Sequence, residues 1–328
     1  MTVFSYFEGR DDKESKHEGG VLHLVQYLKD LISHSNKRNS AIAVWDVHSR
    51  ATLDYLRQAN GRRSLNKPEV VSLTAMPLFA DRLKADGLLD GKETIAAAPD
   101  FGSFTKAREM TKFLGKPLIF IDKERPHPNH VIIKGIYMAN GDGNIKSLEH
   151  TYLKGKRVVF FDDSFDTGST AVDLSAELKN QGADEIVFAA THGIFSDRPE
   201  DKVQGEKTSL SLVGAMNAGI IDYLYVSDTL PQYKKIKLDP DLEKSDRVRF
   251  VSLAKPIAAL IKIAADRAVK EDYDIVMRCL YNPGPDKKLI ELHFKKGNVN
   301  PAYKDFDIQN AVFGNKSRVI LSRQPSVN

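Results

Sequence analysis

With a single cysteine, Cys279, in 328 residues, the chain can hold neither a disulfide framework nor a thiolate metal cluster. No apolar run approaches the length of a membrane span, and the start carries no signal-peptide pattern. The expected setting is therefore a reducing cytoplasm, with no membrane partner. Large blocks of one charge are also missing. The 48 Lys and Arg against 44 Asp and Glu leave a net charge of +4, too mild and too diffuse to argue for nucleic acid. Internal repeats and low-complexity tracts are absent as well. What remains is an ordinary globular composition, 41% hydrophobic and 28% charged, with length enough for two domains.

The dominant rhythm is a short apolar run, a turn, a helical stretch and another apolar run. Val21–Ile32 spaces Leu24, Leu28, Leu31 and Ile32 as a helix does. Ala41–Val47, Thr94–Ala98, Pro117–Ile121, Arg157–Phe161 and Glu185–Ala190 read as buried strands, and Ser103–Leu114 and Ala171–Lys179 as helices. Between them, Pro126–Lys156 reads as irregular, holding a hairpin of His130–Met138 and Ile145–Leu153 around an Asn-Gly-Asp-Gly-Asn turn. Alternating strands and helices predict an α/β protein with parallel sheets and helical crossovers. After about Lys270 the chain reads as strands with Gly and Pro turns.

The most informative segment is Arg157–Thr170, Arg-Val-Val-Phe-Phe-Asp-Asp-Ser-Phe-Asp-Thr-Gly-Ser-Thr. An apolar strand delivers Asp162 and Asp163 to its carboxyl end, the edge at which open α/β sheets bind ligands. Asp166, Thr167, Gly168, Ser169 and Thr170 then lead straight into a helix. A small-residue turn at a helix N-terminus presents backbone N–H groups and the positive end of the helix dipole, which suits a phosphate. Neighbouring carboxylates suit the vicinal hydroxyls of a sugar, so a phosphorylated ribose fits both halves. The plainer alternative is an acidic strand-to-helix turn of another α/β protein, although the D-x-D-x-T spacing of dehalogenase-type phosphatases is absent.

This segment resembles the ribose-phosphate signature shared by type I phosphoribosyltransferases and ribose-phosphate pyrophosphokinases (PRPP synthetases). Further segments, in the family's order from about Phe4 to Ile263, select the second group. They are Tyr6-Phe7 with Arg10-Asp11, Trp45-Asp46-Val47-His48, Ala98-Pro99-Asp100-Phe101-Gly102, Lys123-Glu124-Arg125, Ala190–Ser196 and Tyr225–Pro231. The resemblance implies transfer of the β,γ-diphosphate of ATP to the anomeric hydroxyl of ribose 5-phosphate, with release of AMP. It casts Lys123 and Arg125 as catalytic cations on a mobile arm. Asp162, Asp163, Asp166, Thr167, Gly168, Ser169 and Thr170 become the ribose-phosphate site. Phe7, Arg10, Asp11 and His48 become the ATP side, and Asp100, Phe101 and Gly102 the diphosphate loop. His48 and Asp100 would hold Mg²⁺. Taken without the family, Lys123-Glu124-Arg125 reads as a solvated surface run and His48 as a satisfied strand-end histidine.

The implied architecture is two stacked phosphoribosyltransferase-like domains with the active site between them, in a homo-oligomer. Residues 1–73 would form an abbreviated ATP-side domain, 74–268 the ribose-phosphate domain, and 269–328 a β-rich extension. Several positions depart from the family pattern: Asp11 stands for Gln, Ser169 and Ser103 for Gly, and the start is short. An added side chain in a phosphate cradle remodels the 5-phosphate end, because glycine is there to permit close backbone approach. These departures suit an acceptor with a substituted 5-phosphate, ADP-ribose being the candidate, as in similar phage enzymes of NAD metabolism. A salvage phosphoribosyltransferase and a non-catalytic regulatory homologue remain as the other readings.

Overall fold

The computed structural model describes residues 2–4, 41–48, 69–99, 111–127, 130–139, 145–166, 168–195, 212–230, 246–264 and 267–280. The chain divides into two compact units, residues 1–74 with 254–328, and residues 75–253. The helix predicted over Val21–Ile32 lies outside the described residues, and of Ser103–Leu114 only 111–114 are described, as helix.

In the first unit β1 (Thr2–Phe4), β2 (Ala41–Trp45) and β3 (Glu69–Leu73) form a three-stranded parallel sheet in that order. Ala43, Val44 and Trp45 are buried. Immediately after β2, Asp46 adopts a left-handed φ of 37°, which aspartate tolerates better than most residues. Its N–H donates to the Leu73 carbonyl at 2.8 Å, tying the strand ends together.

The larger sheet belongs to the second unit. It comprises β4 (Thr94–Ala98), β5 (Leu118–His127), β6 (His130–Ala139), β7 (Ile145–Leu148), β8 (Arg157–Phe165), β9 (Glu185–Gly193), β10 (Tyr223–Ser227) and β11 (Val248–Val251). Their spatial order is β11-β10-β9-β8-β4-β5-β6-β7, and β5, β6 and β7 pair antiparallel while the rest are parallel. The central strands β4, β8 and β9 are buried almost throughout, which is why they read as continuous apolar runs rather than alternating ones.

Helix α1 (Met76–Ala85) carries Pro77 in its first turn, where the missing N–H costs no intrahelical bond, and ends before Gly87 at φ 72°. Its Phe79 meets Phe161 of β8 edge-on, with ring centroids 5.7 Å apart. The core cluster that includes Leu174 and Leu178 of α2 (Ser169–Asn180) also holds Phe160, Phe188 and Leu224, all buried. Each such side chain contributes about 1.5–3 kcal/mol when taken out of water. A short helix, α3 (Leu212–Asn217), adds Ala215 and Met216 to the same cluster.

Two readings of the sequence are corrected. The strand predicted to stop at Ile121 runs on through His127, because β6 supplies a ladder for it, with Lys123 opposite Ile133 and Glu124 opposite Ile132. The ladder shifts register between Glu124 and His127, the stretch containing Pro126, whose missing N–H cannot serve a regular sheet. Secondly, the extension does not begin as strand. Lys270–Cys279 is helix α5, following α4 (Ala254–Ala264). Glu271 and Asp272 favour its positive end, Arg278 its negative end, and Asp272, Val276 and Cys279 share a buried stripe at helical spacing. The Cys279 carbonyl accepts from the Thr74 N–H at 2.7 Å. Residues 281–328 lie outside the described residues.

Candidate active site

The register of the larger sheet brings the predicted chemistry to one edge. β4 lies between β5 and β8, with Ala97 opposite both Ile119 and Phe160. Since the three strands are parallel, their carboxyl ends share an edge. β8 carries Asp162 and Asp163 there, β5 carries Lys123 and the backbone of Arg125, and β4 ends one residue before Pro99. Asp162 is half-buried and accepts the Asp163 N–H at 2.8 Å, while Asp163 is buried. Lys123 is half-buried. Asp166 follows β8, and its Oδ1 is buried with no hydrogen-bond partner among the described residues.

Gly168 caps α2 in the left-handed region, φ 72° and ψ 3°. An L-residue there would be strained, and a Cβ would stand 2.5 Å from Cε1 of Phe165. The Gly168 carbonyl accepts the first helical bond from the Val172 N–H at 2.9 Å. Having no side chain, Gly168 makes no cap bond to the first-turn amides of Ser169, Thr170 and Ala171, and a helix N-terminus of that kind attracts an anion. Thr167, Phe7, Arg10, Asp11, Asp100, Phe101 and Gly102 lie outside the described residues, and for Arg125, Ser169 and Thr170 only the backbone is described. His48 belongs to the first unit, exposed, three residues past β2. Among the described residues no three His, Cys, Asp or Glu side chains cluster as a metal site.

The ends of β9 and β10 hold polar groups to which the sequence reading assigns no role. Thr229 Oγ1 donates to the Thr191 carbonyl at 3.0 Å, and Ser227 Oγ donates to the same oxygen. Thr229 Oγ1 also lies 3.1 Å from His192 Nδ1, in a hydrogen bond whose direction follows the imidazole tautomer. His192, Ser227 and Thr229 are all buried. The available signal was polar residues closing apolar strands, Ala-Thr-His-Gly and Val-Ser-Asp-Thr, at the ligand edge.

The opposite edge is ionic. Thr94, Arg157 and Glu185 are in register as the first residues of β4, β8 and β9. Buried Arg157 donates through Nε to Glu185 Oε2 at 2.6 Å and through Nη1 to the Leu88 carbonyl. Lys92 pairs with Asp184 and Glu185, Lys156 with Glu93, and Lys179 with Asp222 at 2.7 Å. Burial raises the Glu185 carboxyl, but hydrogen bonds from Lys92 and Arg157 outweigh it and hold the group below the ordinary range.

A mostly parallel sheet with a strand–acidic turn–helix cradle at its carboxyl edge defines a phosphoribosyltransferase-type α/β domain. A crystal structure of phosphoribosylpyrophosphate synthetase from Mycobacterium smegmatis shares the fold, with a TM-score of 0.50 and 20% identity over 75% of this chain and 64% of that one. The chain is 32% identical to the ribose-phosphate pyrophosphokinase of Thermotoga maritima over 161 residues, 49% of this chain and 43% of that protein. It is 32% identical to the Mycoplasma genitalium protein of the same name over 229 residues, 70% of this chain and 58% of the relative. With the protein of that name from Caldanaerobacter subterraneus it shares 29% over 267 residues, 81% and 69% of the two chains. The chain is thus similar in sequence and fold to ribose-phosphate pyrophosphokinases. Over the first two relatives it spans about half of their length, and no family model matches it.

Proposed function

We propose that the protein is an ATP-dependent diphosphokinase that moves the β,γ-diphosphate of ATP onto the anomeric hydroxyl of a ribose 5-phosphate-type acceptor. The observation that carries this reading is the shared edge. The acidic turn of β8 and the cationic arm strand β5 flank β4, whose end leads into the predicted diphosphate loop at Asp100–Gly102.

On this reading the amides at the start of α2 hold the 5-phosphate and Asp162 and Asp163 hold the ribose hydroxyls. The anomeric oxygen forms a bond to the β-phosphorus while the bond from that phosphorus to the oxygen shared with the α-phosphorus breaks. AMP leaves with the electron pair, and the hydroxyl proton passes to solvent or a neighbouring carboxylate. Negative charge spreads over the non-bridging oxygens, so most of the catalysis is positioning and positive charge. Lys123 and Arg125 supply that charge. His48 and Asp100 would hold Mg²⁺, an ion that needs few protein groups and would offset the charge of the ATP phosphates. The domain limits 1–73, 74–268 and 269–328, a homo-oligomeric assembly and the ATP-side roles of Phe7, Arg10, Asp11 and His48 belong to the same proposal.

Ser169, which opens α2 where the family pattern has glycine, favours a second acceptor, ADP-ribose. One assay tests both: AMP release from ATP and Mg²⁺, with ribose 5-phosphate or ADP-ribose as acceptor. Acceptor-dependent AMP is expected, and Lys123→Ala should lower kcat by about 100-fold or more with the fold intact. Turnover of only one acceptor decides between the two. No AMP with either sinks the diphosphokinase reading and leaves the salvage transferase or regulatory homologue.

A further inference from the structure

The end of β9 shapes the ribose-phosphate turn from behind, through an aromatic residue with no part in the proposed chemistry. Phe195 lies two residues past β9 with φ 48°, a left-handed conformation that costs a bulky residue on the order of 1–3 kcal/mol. Such strain persists only where surrounding contacts over-determine it. Several of those contacts fall on Phe165, which closes β8 just before Asp166. The N–H groups of Ile194 and Phe195 both donate to the Phe165 carbonyl, at 2.9 and 3.2 Å. The Phe195 ring lies against the Phe165 ring, with centroids 5.7 Å apart and planes tilted by 43°. The Phe165 ring also meets Phe188 edge-on at 5.8 Å.

The Phe165 ring is also what Gly168 rests on, since a Cβ at Gly168 would enter it. Gly193 repeats the arrangement with Phe195, whose ring occupies the space where a Gly193 Cβ would stand. The chain of contact thus runs from Gly193 to Phe195, to Phe165, to Gly168, the residue whose left-handed turn aims the first amides of α2. Phe195 is half-buried and packs against the core cluster, yet it holds a left-handed backbone that core filling alone does not require.

We propose that Phe195 is a positioning residue for the phosphate cradle: its ring braces Phe165 so that Gly168 holds the α2 amides in the geometry that receives the 5-phosphate. The inference rests on the ribose-phosphate reading of that cradle. It assigns Phe195 to binding of the sugar phosphate and not to ATP or to phosphoryl transfer.

Two measurements keep its failure separate from that of the functional reading. The first is hydrogen–deuterium exchange of the unliganded full chain, which needs no activity. Phe195→Ala should raise exchange of the amides from Asp166 to Val172 about tenfold, leaving the β4 and β9 amides as they were. The second is steady-state kinetics with ATP and whichever acceptor the wild type turns over. Phe195→Ala should raise the acceptor KM about tenfold, with the ATP KM within about twofold, because misplacing a cradle by a fraction of an ångström is enough. Phe195→Leu, which restores bulk, should recover most of both effects. Gly193→Ala should reproduce them in part by displacing the ring. Unchanged exchange in the turn overturns the proposal, as does an equal rise in both KM values. If the wild type turns over no acceptor, the functional reading fails while the exchange measurement still decides whether Phe195 braces the turn.

Discussion

The two edges of the larger sheet are made from the same strands and have opposite chemistry. At the amino edge every charge named above meets its opposite: Arg157 and Lys92 on Glu185, Lys156 on Glu93, Lys179 on Asp222. At the carboxyl edge the turn from Phe161 to Thr170 holds three aspartates and no lysine or arginine. One end of each strand has its electrostatics satisfied within the chain. The other end gathers carboxylates beside the first amides of α2, with Lys123 on β5. Asp166 Oδ1 is buried there without a hydrogen-bond partner among the described residues, and buried polarity of that kind costs stability, so this edge suits a ligand.

If that contrast is right, charge removal should cost stability at one edge and ligand affinity at the other. The largest expected effect is Arg157→Met. Breaking a buried ion pair from one side costs about 3–5 kcal/mol, and a long apolar side chain keeps the volume. Thermal unfolding should fall by many degrees, while the acceptor KM of the surviving folded protein stays near wild type. Next comes Asp162→Asn. Asp162 is half-buried, so a ligand can reach it, and losing a charged hydrogen bond to a sugar hydroxyl costs about 1.5–3 kcal/mol. That corresponds to roughly 10–100-fold in kcat/KM for the acceptor, with a melting temperature that falls far less than for Arg157→Met. A melting temperature lowered as much as by Arg157→Met would erase the distinction between the edges.

How much of this could be read beforehand depends on the range of the interactions involved. The Arg157–Thr170 segment was legible because its apolar strand, acidic turn and helix start are contiguous, and their order alone defines the cradle. The extension of β5 through His127 was not, because a strand carrying Asp122, Lys123, Glu124 and Pro126 has no strand signal of its own and is created by β6. Helix α5 was missed for a related reason. Its buried stripe is only Asp272, Val276 and Cys279, and the aspartate is buried with its charge met by Lys262 at 2.8 Å. The apolar residues of the helix are interleaved with Lys270, Glu271, Asp272, Asp274 and Arg278, so the Gly and Pro turns that follow dominate a linear reading. Phe195 is a longer-range case. Its strain, its contact with Phe165 and its link to Gly168 exist only once β8 and β9 pair, with Phe165 opposite Gly193. Roles assigned to Phe7, Arg10, Asp11, Thr167 and Asp100–Gly102 fall outside the described residues.

The smallest expected effect refines the contrast by following it with pH. Asp86, just past α1, accepts from Arg82 Nε at 2.9 Å and from the Tyr225 hydroxyl at 2.7 Å, with Arg249 3.6 Å away. Burial raises the Asp86 carboxyl, yet the hydrogen bonds from Arg82 and Tyr225, aided by the charges of Arg82 and Arg249, hold it below the ordinary carboxylate range. Burial, and then the carboxylate beside it, push the Tyr225 phenol upward, so it remains a donor throughout the physiological range. A carboxyl whose folded pKa is depressed contributes stability that is fully present above its unfolded pKa, about 3.9, and is lost as pH falls through the folded pKa. Asp86→Asn should therefore cost about 1 kcal/mol at neutral pH, discounted for the exposure of Arg82, and the gap to wild type should close below about pH 4. Asp162→Asn, whose Oδ1 still accepts the Asp163 N–H, should show a smaller stability gap at neutral pH than Asp86→Asn. Parallel curves for the two variants in chemical denaturation across that range would mean that both carboxylates serve the fold.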